Sequence, residues 1–236
     1  MKDPYSVFCH ALLGRPWAYG EESRHMPPCV TPERLLSLRH PKLHRLVPGV
    51  LMKYGLLLHY LREGSVIDLC CGSGFGADYL AMHGFKVTAL DACKENLEKA
   101  RQRRRIQILE KNLFAGRGHH HDAACFVDAL EHFAEKDQPK ALEHVRSYVR
   151  PGGLLLLDTP MARVSHQASR HHKWELSWGD CGRLVQKAGF KILDRYTLAT
   201  FRNEVPVLMR TMKEPAVHDN SDQIIIARRI RGVGHG

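Results

Sequence analysis

An acid and three glycines stand together in the stretch VIDLCCGSGFGADYL, residues 66–80: Asp68, then Gly72, Gly74 and Gly76 at alternate positions. Glycine loses more backbone entropy on folding than any other residue, so such a run is retained where a turn needs unusual dihedrals or where something must lie against bare main chain. A second acid, Asp91, closes the stretch KVTALD. Both acids end short apolar runs of the kind that form buried strands. The pattern is that of a ligand-binding turn with a carboxylate on either side.

Two ligand classes use a glycine loop between a strand and a helix. A dinucleotide needs G-x-G-x-x-G and sets its pyrophosphate on the helix N-terminus. Gly72, Gly74 and Ala77 fit that spacing loosely, and Asp91 lies at the distance expected for ribose hydroxyls. S-adenosylmethionine has no phosphate and carries a cationic amine at its amino-acid end. Asp68 would repel a pyrophosphate and suits that amine, which favours S-adenosylmethionine.

The elements around the loop follow a strand–helix rhythm from residue 65 onward. Strands are expected at 65–70, 86–91, 106–112, 122–130, 154–160, 190–197 and 222–230, with helices at 76–84, 93–104, 139–149 and 182–190. Alternation of this kind predicts a parallel sheet covered by helices on both faces. Residues 1–64 read differently. Prolines punctuate them, and helices are expected at 31–40, with Thr31 as N-cap, and at 51–61. They form an N-terminal extension, partly helical, ahead of a ligand-binding domain at 65–236. With Trp17 and Tyr19, both able to stack on an aromatic ring, the extension is a lid candidate.

Residues 65–160 resemble class I S-adenosylmethionine-dependent methyltransferases. DLCCGSG is similar to that family's first motif, D/E-x-G-x-G-x-G, with Cys70 in place of the first glycine. VTALDA is similar to its second strand, ILEKNLF to its third, and CFVDALEHF to its fourth, especially in the subgroup of ubiquinone-biosynthesis O-methyltransferases. VRPGGLLLLDTP looks like the fifth strand and its approach, and the stretch from Trp174 to Leu198 looks like the final helix and sixth strand. The resemblance implies a Rossmann-like doubly wound α/β fold with a seven-stranded sheet, mostly parallel with an antiparallel last strand. It implies S-adenosylmethionine as cofactor and S-adenosylhomocysteine as product. The cofactor residues it implies are Asp68, Cys70, Gly72, Ser73 and Gly74 in the loop; Asp91 and Ala92 at the ribose; Asn112 and Leu113 at the adenine; and Asp128 after the fourth strand. Asn112 stands where the family often has an acid.

Methyl transfer is an in-line displacement in which orientation supplies much of the rate, so the protein needs at most a base for an O–H or N–H acceptor. Histidine suits that task near neutral pH. His132, after the fourth strand, and His172, before Trp174, are the preferred candidates over His166 and His171. The expected activity is methylation of an O or N atom of a small molecule. A net charge of +10 keeps a nucleic-acid acceptor as the alternative. The charge is spread out, +4 over residues 1–64 and +6 beyond, apart from RQRRR at 101–105, and no RNA-binding module is evident. A non-catalytic cofactor-binding or interaction protein is the third reading. Cys9, His10, His25 and Cys29 lack zinc-finger spacing, and the triplet His119–His121 reads as a polar loop, so no metal is expected. Unframed cysteines, no signal-peptide pattern and no long apolar run point to the cytoplasm.

Overall fold

The computed structural model describes residues 43–115, 119–162, 171–200, 206–215 and 221–231. The expectations placed on Cys9, His10, Trp17, Tyr19, His25, Cys29, the helix at 31–40 and His166 lie outside those residues. A helix α1, Leu43–Tyr60, precedes the sheet and starts eight residues before the apolar run that announced it; Gly55 does not interrupt it. The order then runs β1 Ser65–Leu69, α2 Phe75–Met82, β2 Lys86–Asp91, α3 Lys94–Ala100, β3 Gln107–Glu110, β4 His121–Val127, α4 Gln138–Tyr148, β5 Val149–Pro160, α5 Trp178–Lys187, β6 Phe190–Thr200, β7 Pro206–Arg210 and β8 Ser221–Arg229.

The strands form one sheet in the order β3-β2-β1-β4-β5-β8-β6-β7. β1 to β5 are parallel neighbours. β8 inserts between β5 and β6 and is antiparallel to both, the expected reversed last strand. One strand was not foreseen: β7 forms a hairpin partner to β6, which makes eight strands among the described residues. Its sequence, PVLMR, opens on a proline that cannot donate to a ladder, and such a residue is tolerated only at a sheet edge.

Successive residues of the central strands face opposite sides of the sheet. Val66, Ala123, Cys125, Leu154, Leu156, Ile224 and Ile226 pack under α1 and α2. Ile67, Ala124, Phe126, Leu155, Leu157 and Ile225 pack under α4 and α5. Two buried layers explain why LLLL and III show no alternation: both faces of these strands are covered. α3 ends at Ala100, short of the expected 104, because Arg103 turns inward and donates from Nε to the Ser73 carbonyl at 2.7 Å.

The glycines of the loop serve different ends. A Cβ on Gly76 would stand 2.0 Å from the Tyr54 ring of α1, so this position is where helix meets helix. Gly74 caps α2 in the left-handed region, φ 70°. At Gly72, φ 55°, nothing lies within 4 Å of an added Cβ. Gly76→Ala is therefore expected to destabilise the fold by roughly 1–3 kcal/mol through overpacking against Tyr54. A lowered urea midpoint checks this, and an unchanged midpoint would show that α1 does not press on the loop.

Candidate functional site

The sheet reverses its winding between β1 and β4, and a crevice at the carboxyl ends of the strands on either side of such a point is where doubly wound folds bind ligands. Four of the sequence-predicted positions meet there. Asp68 lies near the end of β1, Asp91 ends β2, Asn112 follows β3, and Asp128 follows β4.

Asp91 braces the loop from its far side. Its Oδ2 accepts from the Gly72 amide and its Oδ1 from the Cys93 amide, each at 2.8 Å. An ionised carboxylate has about four acceptor positions, so each oxygen retains one for a diol. Ala92, next to it, is exposed. Cys70 occupies the left-handed region at φ 58°, a conformation that costs a side-chain-bearing residue about 1–2 kcal/mol and that explains a glycine there in the resembling motif. Burial pushes the Cys70 thiol up to about 12, so it is a neutral lining group and no nucleophile. Ser73 is half-buried, its carbonyl held by Arg103.

Asp68 is fully buried and faces α1 and α2. The Tyr54 hydroxyl donates to both its oxygens, at 2.9 and 3.1 Å, and the Ala77 amide donates as well. Burial pushes this carboxyl up to about 7, against the hydrogen bonds and with help from Asp91. Asn112 is exposed and closes a turn by accepting from the Phe114 amide at 2.9 Å, which leaves its amide NH₂ as donor. The Leu113 side chain is buried in the α4 side of the core, so apolar contact with a ligand in the crevice falls to its neighbours and not to it.

At the other end of the crevice sits a group that sequence reasoning missed. Lys53 of α1 is buried with its Nζ 2.7 Å from Asp128, 2.7 Å from Asp158 and 2.9 Å from Asp222. Burial pulls the ammonium pKa down, but the three carboxyls outweigh it and hold Lys53 well above its ordinary value. Burial pushes Asp158 well up, Asp128 and Asp222 push the same way, and Lys53 opposes, so Asp158 is the acid that keeps its proton most readily. Asp128 itself takes a left-handed backbone, φ 49°, which turns its half-exposed side chain toward Lys53. The signal was available: Lys53 is the lone charge in the run LVPGVLMKYGLLL.

His132 and His172 come together although forty residues separate them, with ring centroids 5.4 Å apart. The segment after residue 170 docks on the turn after β4: the Lys173 and Trp174 amides both donate to the Glu131 carbonyl. The buried Gln138 side chain fastens both pieces by donating to the Leu130, Phe133 and Trp174 carbonyls. His132 Nδ1 meets the His171 carbonyl at 3.1 Å, and His172 Nδ1 meets Glu175 Oε1 at 2.6 Å. A carbonyl and a carboxylate only accept here, so both rings carry their proton on Nδ1 and present Nε2 as the basic nitrogen. Glu131, almost fully buried beside them, accepts from Thr159 at 3.0 Å, and burial pushes it up to about 7.

The arginine run is largely spoken for: Arg101 pairs with Glu110 at 2.6 Å, Arg103 is buried against the loop and Asp78, and Arg105 reaches Asp78 at 3.8 Å. A family model described as "Methyltransferase domain" matches residues 44–195, from the start of α1 into β6. The chain belongs to the methyltransferase domain family. Its relatives include an uncharacterized methyltransferase of Synechocystis sp., 29% identical over 149 residues that make up 57% of this chain and 70% of that protein. A ubiquinone biosynthesis O-methyltransferase of Rickettsia akari is 27% identical over half of each chain. Among solved structures, a Burkholderia thailandensis 1,6-didemethyltoxoflavin-N1-methyltransferase with bound S-adenosylhomocysteine superposes with a TM-score of 0.62 at 17% identity, covering 84% of this chain and 86% of that one. This methyltransferase is of the class I, S-adenosylmethionine-dependent type, and its α1 falls within the matched domain. No helix among the described residues is long and apolar enough to cross a membrane.

Two stability predictions follow from these buried charges. Asp68 has a folded pKa of about 7, against about 4 for an exposed aspartate, so the folded state keeps a proton that the unfolded chain releases. The associated stability is present below about pH 4 and is lost as pH rises to about 7. Asp68→Asn should flatten the fall in urea midpoint over that range without abolishing it, because Glu131 acts in the same sense. Lys53→Ala leaves the carboxyls unpaired and should cost about 3 kcal/mol, the low end for a broken buried pair because Asp128 is half-exposed. Adding Asp158→Asn should recover part of that loss in the same denaturation measurement.

Proposed function

We propose that this methyltransferase transfers a methyl group from S-adenosylmethionine to an O or N atom of a small molecule. The observation that carries the reading is the glycine loop at the switch point, where Asp91 braces the Gly72 amide and a Cβ added at Gly72 would meet nothing within 4 Å. Asp91 and Asp128 stand at the strand ends there, and the carboxyls of Asp68, Glu131 and Asp158 are buried behind them, in a chain whose net charge is +10. Acids such as Asp91 and Asp128 at these strand ends favour a cofactor with a sulfonium and an ammonium group over one with a pyrophosphate.

The residues fit such a cofactor. Asp91 would take the ribose diol on its spare acceptor positions, with Ala92 beside it. Asn112 would donate to the adenine from its free amide, and the Leu113 backbone would edge the ring. The loop from Cys70 to Gly74 would lie under the amino-acid end, with Asp68 adding negative charge from beneath and Asp128 from the β4 side. When bound, the cofactor supplies an electrophilic methyl group opposite its leaving sulfur, for in-line attack. The chain's part is to orient the acceptor and to receive its proton. His132 and His172 are the proposed bases, each through Nε2, since Nδ1 of each is committed to an acceptor that fixes the ring. The small-molecule assignment draws support from relatives and neighbours whose names specify small acceptors.

Calorimetric titration with S-adenosylmethionine and S-adenosylhomocysteine, with NADH as control, tests the cofactor; transfer of labelled methyl to a panel of phenols, acids and amines tests the acceptor. Asp91→Ala should weaken cofactor binding at least tenfold, since each hydrogen bond to a charged group contributes about 1.5–3 kcal/mol. Gly72→Ala should also lower affinity, because its methyl enters the open space. His132→Ala should lower turnover while leaving cofactor affinity near the parent value. Equal turnover in the parent, His132→Ala and His172→Ala would remove both histidines from the chemistry.

A further inference from the structure

Glu131, His132 and His172 have more in common than nearness to the acceptor side. One ligand-type atom from each lies within 4.8 Å of the others. Atoms that share an ion at about 2.0–2.2 Å stand roughly 3–4 Å apart, so a small inward adjustment of exposed His132 closes the set. Glu131 Oε1 is already 3.9 Å from His132 Nε2.

Each of the three is also held from behind. His172 gives its Nδ1 proton to buried Glu175, His132 gives its own to the His171 carbonyl, and Glu131 Oε2 accepts from Thr159. Metal-binding histidines almost always donate their other ring N–H to a carboxylate or carbonyl, which fixes tautomer and orientation. Here both do so, which leaves Nε2 of each ring and Oε1 of Glu131 available to an ion. The docking of the 171–176 segment on Glu131, by two backbone amides and by the Gln138 side chain, holds this geometry.

We propose that Glu131, His132 and His172 bind a divalent transition-metal ion, of the Zn²⁺ type, in a two-histidine, one-carboxylate site with at least one open position. Imidazole donors favour Zn²⁺ and its neighbours over Mg²⁺ or Ca²⁺, which take oxygen ligands. Three protein ligands are the pattern of sites that keep a position open for an exogenous oxygen. The open position takes a hydroxyl-bearing acceptor as its oxygen donor, and coordination eases loss of that hydroxyl's proton to water. The new oxygen–carbon bond then forms as the methyl–sulfur bond breaks, leaving S-adenosylhomocysteine. This role rests on the methyl-transfer reading above; ion binding itself does not. With the ion bound, the two Nε2 atoms are ligands and no longer bases.

The test uses the full chain, stripped with a chelator and free of cofactor, titrated with Zn²⁺ by calorimetry and with Co²⁺ by its visible absorption. One saturable site is expected, with a Co²⁺ spectrum of low coordination number. Affinity should fall at least tenfold in His132→Ala and in His172→Ala, and ten- to a hundredfold in Glu175→Gln, which leaves all three ligands in place. Consecutive histidines compete for added Zn²⁺, so the double variant His119→Ala, His120→Ala is the control and should keep the site. Binding that disappears in the control and survives His132→Ala and His172→Ala overturns the proposal, as does the absence of stoichiometric binding. S-adenosylmethionine affinity of the same samples confirms folding of each variant. It also separates the two readings: an ion bound without cofactor affinity overturns the methyl-transfer reading alone, and cofactor affinity without an ion overturns the metal site alone.

Discussion

The pairing of one buried ammonium with three carboxyls at the carboxyl edge of the sheet is the constraint on which the site depends. Lys53 comes from a helix that precedes the sheet, yet its Nζ reaches the ends of β4 and β5 and the start of β8. Without it, Asp128, Asp158 and Asp222 would repel one another, with the fully buried Asp158 beyond the reach of water. With it, α1 is locked to the crevice, and its next residue, Tyr54, is delivered to Asp68 and to the Cβ-less face of Gly76. One turn of one helix therefore sets both the floor of the glycine loop and the wall of the β4 side.

Charge in this molecule is segregated. The chain carries ten more basic than acidic side chains, but acids end or follow β1, β2 and β4 at the switch point. The basic residues nearest to it are turned to structural use: Lys53 in its cage and Arg103 across the Ser73 carbonyl and Asp78. Asp68 and Glu131, pushed up by burial, are at the edge of losing their protons near neutral pH. A cationic ligand that draws them into the ionised state gains attraction at the moment it binds, and an anionic one gains nothing.

The second half of the site is built by docking. The 171–176 segment crosses to the turn after β4, where backbone bonds to Glu131 and the amide of Gln138 hold it. That contact brings His172 to His132 and seats Glu175 behind it. A single buried glutamine thereby joins the turn after β4 to the 171–176 segment.

Much of this was legible in the amino-acid order. The glycine loop, Asp91 and the strand–helix alternation are local: each depends on backbone conformation and apolar periodicity over a few residues, and those are properties of the chain itself. The same holds for the reversed last strand implied by the family resemblance and found in β8. What escaped was long-range. The cage of Lys53, the inward turn of Arg103 that cuts α3 short, the edge strand β7, the burial of Leu113 and the fixing of two histidine tautomers by partners on other elements all arise from packing of distant segments. A lone lysine in an apolar helix announces only that it needs partners; which acids answer is decided by where the sheet places their strand ends. Sequence thus determined the family and the local glycine loop, and the tertiary structure decided which side chains face each other at the strand ends, because burial and pairing are properties of neighbours in space.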